Sequence, residues 1–370
     1  MTNKTKKRVV VKIGSNSLTS QHGEISRRKI EKLVDEVVHL KDQNYEVVLV
    51  SSGAVAAGYR KLGFLQRPDT LPEKQAAASI GQGLLMETYS NLFLSHGYTA
   101  SQMLITRDDF SDENRYQNVR NTMSVLLDRG IIPIVNENDT VTVNHLKFGD
   151  NDTLSAKVAG LIGADMLAIL SDIDGLYDAD PTKDPHAKML EQVHEITPEI
   201  EAAAGGPASD VGTGGMKSKI EAVKIAMASG IPSFLGKADK ANILLDAVRQ
   251  KAKGTYFEVN EAQTNLDYKE QWIAFHSGAQ GEIIVEAERG QFILEQSDSL
   301  LVSDIYAVNG TFKDGQVVSI KDVNSNEIGM GIINYSSKQL NDEQVQQADT
   351  AIDRKQFVCL HLETSSPVTV

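Results

Sequence analysis

A chain of 370 residues, 41% hydrophobic and 24% charged, has the composition of a globular protein and the length of two domains rather than one core. A formal net charge of −13 argues against a nucleic-acid scaffold, so any anionic ligand has to be held by local clusters of positive groups. No apolar run approaches the roughly 20 residues that span a bilayer, and the basic N-terminus MTNKTKKRVVVKIG has too short an apolar stretch for a secretory signal, so a cytoplasmic protein is expected. The single cysteine, Cys359, allows neither a disulfide framework nor a Cys-based metal site within one chain, and it reads as a small buried hydrophobe.

Arg8 to Gly14 (RVVVKIG) is a β-branched run closed by glycine, the pattern of a strand buried on both faces of a parallel sheet. From Ser26, a good N-cap, apolar residues recur at Ile30, Leu33, Val34, Val37 and Val38, so a helix follows. Glu46 to Val50 is the next strand. It runs into Ser51-Ser52-Gly53-Ala54 and Ala56-Ala57-Gly58, small residues that let a helix or a ligand sit close. Leu84 to Phe93 lies in a long helical stretch, Thr99 to Ile105 is a strand, and Tyr116 to Leu127 is a helix ending at Gly130. Ile131 to Val135 forms another strand, followed by Asn136-Glu137-Asn138-Asp139.

A hairpin is expected over Val141 to Phe148, with Asn144-His145 near its turn. Gly149-Asp150-Asn151-Asp152 then opens a helix through Ile162, and the strand Met166 to Leu170 ends in Ser171-Asp172. The pattern loosens around Pro181 and Pro185. Beyond a glycine-rich stretch come a helix from Met216 to Gly230, a strand from Ile231 to Leu235 and a last helix near Leu244 to Arg249. This alternation predicts an α/β fold with a mostly parallel central sheet covered on both faces, which binds ligands at the carboxyl ends of its strands.

After Phe257 the texture changes. Glu258 to Gly278 is polar and weakly patterned, and from Glu282 short runs (EIIVE, IYAV, QVVSI, GMGII) are broken by the turn signals Asn309-Gly310, Asp314-Gly315 and Asn324 to Asn326. The C-terminal part therefore reads as a small β-rich domain.

The chemistry concentrates at GGPASDVGTGGMKSK, Gly205 to Lys219, where five glycines precede a helix. Glycines before a helix start expose backbone N–H groups at the positive end of the dipole, which makes a phosphate site. Lys217 and Lys219 stand at the end of the helix where lysines do not help the dipole, which points to a ligand; a flexible loop with solvated lysines is the plainer reading. The Walker register fails because Met216 precedes Lys217. Lys12 closes the first strand and, unless it snorkels to solvent, reaches toward whatever the glycine stretch holds. With Lys219 it supplies two ammonium groups to flank a transferring phosphoryl group. Asp150 and Asp152 straddle Asn151 at a helix start, where capping is the commoner use. Ser52, Asp139 and Asn151 together suit a zwitterion, the aspartate facing an ammonium and the hydroxyl and amide a carboxylate, although Asp139 alone is also an ordinary turn residue. No His/Cys/Asp spacing suggests a zinc site, and His145 reads as a surface residue.

In this order and spacing, VVKIGSNSL (10–18), VSSGAVAAG (50–58), VNEND (135–139), GDNDTLSA (149–156) and GTGGMKSK (212–219) resemble the glutamate 5-kinases of the amino acid kinase family, and the segment from about Gly281 is similar to a PUA domain. The resemblance covers essentially the full length. It implies an αβα kinase domain over residues 1–258, a linker over 259–280, a PUA-like domain over 281–356 and a tail over 357–370. It also implies ATP-dependent phosphorylation of the side-chain carboxylate of L-glutamate, the first step of proline synthesis. By position, Lys12 and Lys219 would contact the transferring phosphoryl group and Asp152 would orient them. Ser52, Asp139 and Asn151 would bind glutamate, with Asp150 close by. Lys12, Ser171, Asp172 and Thr213, Gly214, Gly215, Met216, Lys217, Ser218 and Lys219 would hold ATP, with Mg²⁺ carried on the nucleotide. The segment 103–122 resembles the family stretch tied to tetramer contacts and to inhibition by proline, so a homo-oligomer, tetramer or dimer, is implied, and a glutamate semialdehyde dehydrogenase is a possible partner. Ser51 stands where some members have threonine and keeps the hydroxyl.

The nearest rival is a related kinase acting on aspartate, N-acetylglutamate, carbamate or a nucleoside monophosphate; the VNEND and GDND pair and the PUA-like segment favour glutamate. PUA domains also accompany RNA modification, but Gly281 to Lys355 carries 6 Lys and Arg against 13 Asp and Glu, a surface that repels phosphate backbones. Nucleic acid is therefore not an expected partner. A proline sensor without catalysis is disfavoured by the presence of both lysines.

Overall fold

The computed structural model describes residues 6–20, 23–142, 151–181, 184, 186–204, 215–259, 268–296, 298–342 and 345–359. The chain divides into two compact units, Met1–Arg107 with Gln117–Thr264, and Asp108–Tyr116 with Asn265–Val370. Most of the hairpin expected over Val141 to Phe148 lies outside the described residues, as do Asp150, Thr213 and Gly214.

In the first unit β1 (Arg8–Ile13) is followed by α1 (Ser15–Leu18), α2 (Arg27–Asp42), β2 (Glu46–Ser51), α3 (Ala54–Gly58) and α4 (Leu71–Ser95). The chain continues through β3 (Ala100–Ile105), α5 (Asp108–Ser111), α6 (Glu113–Asp128), β4 (Ile132–Glu137), α7 (Asn151–Ile162) and β5 (Met166–Ser171). Then come β6 (Gln192–Val193), α8 (Pro198–Ala204), α9 (Met216–Ala228), β7 (Ser233–Lys237), α10 (Ile243–Val248) and β8 (Thr255–Phe257). The eight strands form one sheet in the order β3-β4-β2-β1-β5-β7-β8-β6. All neighbours are parallel except β7 and β8. The mostly parallel sheet expected from the alternation is therefore present.

β1 and β2 bury nearly every residue, as a strand covered on both faces must. On one side of the sheet Ile30, Val34 and Val37 of α2 and Leu85, Tyr89 and Phe93 of α4 pack on Val9, Val11, Val47 and Leu49. From β1 the chain proceeds one way to β2, β4 and β3 and the other way to β5 and β7, so the strand order switches beside β1. Ligand crevices of open α/β sheets lie at such a switch, beyond the carboxyl ends of the strands.

The small residues after β2 admit a helix. A Cβ on Gly58 would stand 1.9 Å from the Ala77 carbonyl oxygen, and one on Gly81 would stand 1.8 Å from the Ala54 carbonyl oxygen, so α3 and α4 cross with their backbones in contact. This holds the Ser52-Gly53 turn, where Gly53 takes φ +111°, against the middle of α4. β7 starts two residues later than the apolar run suggests, because Pro232 has no N–H to give a ladder.

The second unit contains α11 (Tyr268–Gln271), β9 (Gly281–Val285), α12 (Ala287–Gln296), β10 (Leu300–Leu301), β11 (Ile305–Gly310), β12 (Val317–Asp322), β13 (Glu327–Ile332), α13 (Ser337–Asn341), β14 (Thr350–Ile352) and β15 (Phe357–Cys359). Its larger sheet runs β11-β9-β12-β13-β15 around Ile283, Val285, Val318, Ile320 and Phe357. The β-rich expectation is met, but α12 is an addition. Its sequence reads poorly as a helix because of Gly290, which is there since a Cβ would meet Ile328 Cδ1 at 2.5 Å. Trp272, within the stretch read as weakly patterned, is buried and donates Nε1–H to the Phe110 carbonyl at 2.8 Å, and Tyr116 packs on the same indole at 6.2 Å between ring centres. Asp108–Tyr116 thus belongs with this unit. Cys359 is exposed rather than buried, a correction that follows from its place as the last residue of the edge strand β15.

Candidate active site

Lys12 is the penultimate residue of β1 and is 3% exposed, so it does not snorkel to solvent. Its ammonium pairs with Asp152, which is fully buried in the first turn of α7. The other oxygen of the same carboxylate lies 3.2 Å from Lys219 Nζ, and the Ser218 hydroxyl stands 3.0 Å from it. Asp152 is therefore more than a cap. One carboxylate holds two buried ammonium groups, so the three side chains by themselves sum to one positive charge in a place from which water is largely excluded. Buried positive charge of this kind favours the approach of anionic groups.

Two helix N-termini add to this field. α7 begins at Asn151 beside the ends of β1 and β2, and α9 begins at Met216 with Gly215 as its extended N-cap. Both direct positive dipole ends toward the Lys12–Asp152–Lys219 cluster. Lys217, by contrast, is exposed on the first turn of α9. At the end of β5 the Ser171 hydroxyl donates to Asp172 at 3.0 Å and Asn16 Nδ2 donates to the other oxygen at 3.3 Å. Burial alone would raise the Asp172 carboxyl, but these two bonds and the nearby Lys219 hold it below its usual range, so it is an anion at neutral pH.

On the other side of β1 lies an amide network. Asn151 Nδ2 donates to the Ser51 carbonyl at 3.1 Å, to the Ser52 hydroxyl at 2.9 Å and to Asn136 Oδ1 at 2.8 Å. Asn136 Oδ1 also accepts the Glu137 backbone N–H at 2.9 Å, while Asn136 Nδ2 donates to Gln82 Oε1 of α4 at 2.9 Å. The Ser51 hydroxyl is 2.9 Å from that of Tyr89. Asp139 stands in the tight turn after β4, where its N–H bonds the Glu137 carbonyl at 2.9 Å and Gln75 of α4 holds the Thr142 carbonyl at 3.1 Å. It lines a cavity of about 280 Å³ with Gln82, Gln102, Leu104, Glu137 and Asn138.

The structure thus gathers Lys12, Asp152, Ser218 and Lys219 in one cluster, Ser171 with Asp172 beside it, and Ser52 with Asn151 in the amide network. Asp139 is on the cavity. Three participants escaped sequence reasoning. Asn16, in the short helix α1, stood inside the quoted stretch VVKIGSNSL but was given no role. Asn136 stood in the noted polar run after a strand but was given no role. Gln82 left no signal, since a glutamine in mid-helix reads as solvent-facing.

Residues 7–237 match the model of the amino acid kinase family, and residues 281–351 match that of the PUA domain. A protein named glutamate 5-kinase 2 from Bacillus licheniformis is 64% identical over 368 residues, covering 98% of each chain. Glutamate 5-kinase 1 of Bacillus subtilis is 44% identical, covering 96% of this chain and 97% of its own. Among solved structures, a carbamate kinase from Giardia lamblia bound to AMP-PNP shares the fold with a TM-score of 0.51 at 19% identity, over 69% of this chain and 99% of its own. The chain is a kinase of the amino acid kinase family that carries a C-terminal PUA domain.

Proposed function

We propose that this kinase transfers the γ-phosphoryl group of MgATP to the side-chain carboxylate of L-glutamate, giving L-glutamyl 5-phosphate, the first step of proline synthesis. The observation that carries the reaction type is the pair of buried ammonium groups of Lys12 and Lys219 on the single carboxylate of Asp152. The names of the relatives carry the substrate. A carboxylate acceptor is already ionised at neutral pH, so no general base is required, and the work left to the protein is positioning and charge.

In this mechanism the acceptor carboxylate and the γ-phosphorus meet in line above Lys12. Negative charge that spreads over the transferring oxygens is met by Lys12 and Lys219, whose positions Asp152 fixes in advance, and by the N-terminal N–H groups of α7 and α9. Ser171, Asp172 and the segment Thr213 to Lys219 hold the nucleotide. Mg²⁺ arrives as part of the MgATP substrate and needs few protein ligands. Ser52, Asn151 and Asp139, with Asp150 nearby, take the amino acid. Inhibition by proline through the segment 103–122, a homo-oligomer, cytoplasmic placement and hand-over of the labile acyl phosphate to a dehydrogenase belong to the same reading; among the described residues no helix is long and apolar enough to cross a membrane.

The test is an acyl-phosphate trap with hydroxylamine, MgATP and either L-glutamate, aspartate, N-acetylglutamate or UMP, each with and without proline. Hydroxamate from glutamate alone, suppressed by proline, is the expected result. Turnover with another acceptor would sink the substrate assignment, and turnover with glutamate that ignores proline would sink the inhibition.

A further inference from the structure

The amide network has a direction, and one backbone group sets it. The Glu137 N–H can only donate, so the Asn136 atom facing it at 2.9 Å is Oδ1. That leaves Asn136 Nδ2 to face Gln82 at 2.9 Å, which fixes Oε1 of Gln82 as the acceptor. Gln82 Nε2, two N–H donors on a residue only 9% exposed, is then left without a hydrogen-bond partner among the described residues. Buried donors are seldom left so, because each forfeits its hydrogen bonds to water. Gln82 lines the cavity of about 280 Å³ at the end of β4, together with Asp139.

We infer that Gln82 is a specificity-determining residue whose Nε2 donates to the α-carboxylate of the amino acid substrate. The inference rests on the glutamate reading of the site and adds to it a residue that orients the far end of the substrate. A ligand for this cavity has to bring an acceptor to Gln82, and an α-amino carboxylate does so while placing its ammonium group on the same carbon, in a cavity that Asp139 also lines. β4 is two strands from β1 in the sheet, about 10 Å at the usual strand spacing. An amino acid held by its α-carbon at β4 therefore extends its side-chain carboxylate toward Lys12. Because Asn151 begins the same relay and directly precedes Asp152, the bonds that orient Gln82 end beside the phosphoryl centre.

The test compares the wild-type kinase with Gln82→Glu, which keeps an oxygen for Asn136 Nδ2 and replaces the cavity donor by a carboxylate oxygen. KM for L-glutamate is expected to rise about 10- to 100-fold, the worth of a hydrogen bond to a charged group, while KM for ATP and the thermal midpoint hold. L-isoglutamine, which has an amide in place of the α-carboxylate and keeps the reacting side-chain carboxylate, should recover in the variant. The wild-type preference for glutamate over isoglutamine should accordingly shrink at least tenfold. An unchanged KM for glutamate, an unchanged preference, or a loss shared by ATP affinity and thermal midpoint would overturn the inference. Absence of glutamate turnover in the wild-type kinase itself would instead be a failure of the substrate reading, which the same assay registers separately.

Discussion

Lys219 Nζ and Asp152 Oδ2 lie 3.2 Å apart, both buried, with the second oxygen of the same carboxylate taken by Lys12. The three side chains come from β1, α7 and α9, so one ion triad ties together the sheet and the two helices whose N-termini face the crevice. It is at once a stability element and the charge centre of the proposed reaction, and the two roles separate on substitution.

Asp152→Asn takes away the carboxylate shared by two buried ammonium groups. It is expected to lower the unfolding free energy by about 3–5 kcal/mol, read by urea titration, and to abolish turnover. Lys219→Ala removes one cation but leaves Asp152 paired with Lys12 and bonded to Ser218. Its fold should survive while kcat falls about 10²-fold or more, as expected for loss of one preorganised charge contact. A rise in KM at constant kcat would show that Lys219 only binds.

The contact of α3 with α4 is tested by two glycines on one helix. Gly81→Ala forces a methyl group to within 1.8 Å of the Ala54 carbonyl oxygen and should cost about 3 kcal/mol, with loss of glutamate affinity as the Ser52-Gly53 turn shifts. Gly83→Ala, where a Cβ meets nothing within 4 Å, should instead stabilise by about 0.5–1 kcal/mol through helix propensity. Equal thermal midpoints for the two variants would refute the close-crossing account.

Much of this was legible in the sequence because the site gathers at strand ends, where local patterns carry the information. The run RVVVKIG marks both the strand and the lysine that leaves it, and Asp152 follows a polar turn that opens a helix. Gln82 was not legible, because its role depends on Asn136, 54 residues away, and on a helix crossing created by Gly58 and Gly81. Trp272 and α12 were hidden for a related reason. The partner of the indole is the Phe110 carbonyl, remote in sequence, and Gly290 weakens the helical signal in order to fit Ile328.

The polarity of the relay can be reversed by exchanging one side-chain NH2 group for an oxygen. In Asn136→Asp one carboxylate oxygen still accepts from the Glu137 N–H and from Asn151, while the other faces Gln82, whose amide then turns to donate. That turn presents Oε1 to the cavity. KM for L-glutamate is expected to rise about 10- to 100-fold with the ATP KM unchanged, matching Gln82→Glu through a residue not proposed to touch the substrate. Combined with Gln82→Glu, the two substitutions should be far from additive, and additivity in a double-mutant cycle would argue against the relay.

Lys157 provides a pH signature independent of catalysis. It is 8% exposed on α7, and burial, with Arg107 nearby and Glu221 opposing, pushes its ammonium down to about 7 from an ordinary 10.5. Between those values the unfolded chain holds a proton that the folded chain has released, so this residue makes stability rise with pH over that window. Below about pH 7 both states are protonated and the folded state bears the full penalty of the buried charge. Lys157→Met removes the titration. The difference in urea midpoint between variant and wild type should therefore be most in favour of the variant near pH 6 and shrink steadily toward pH 10, whatever other groups contribute to both. A difference that stays constant across the window would mean that Lys157 keeps its proton in the folded chain and that Glu221 outweighs burial.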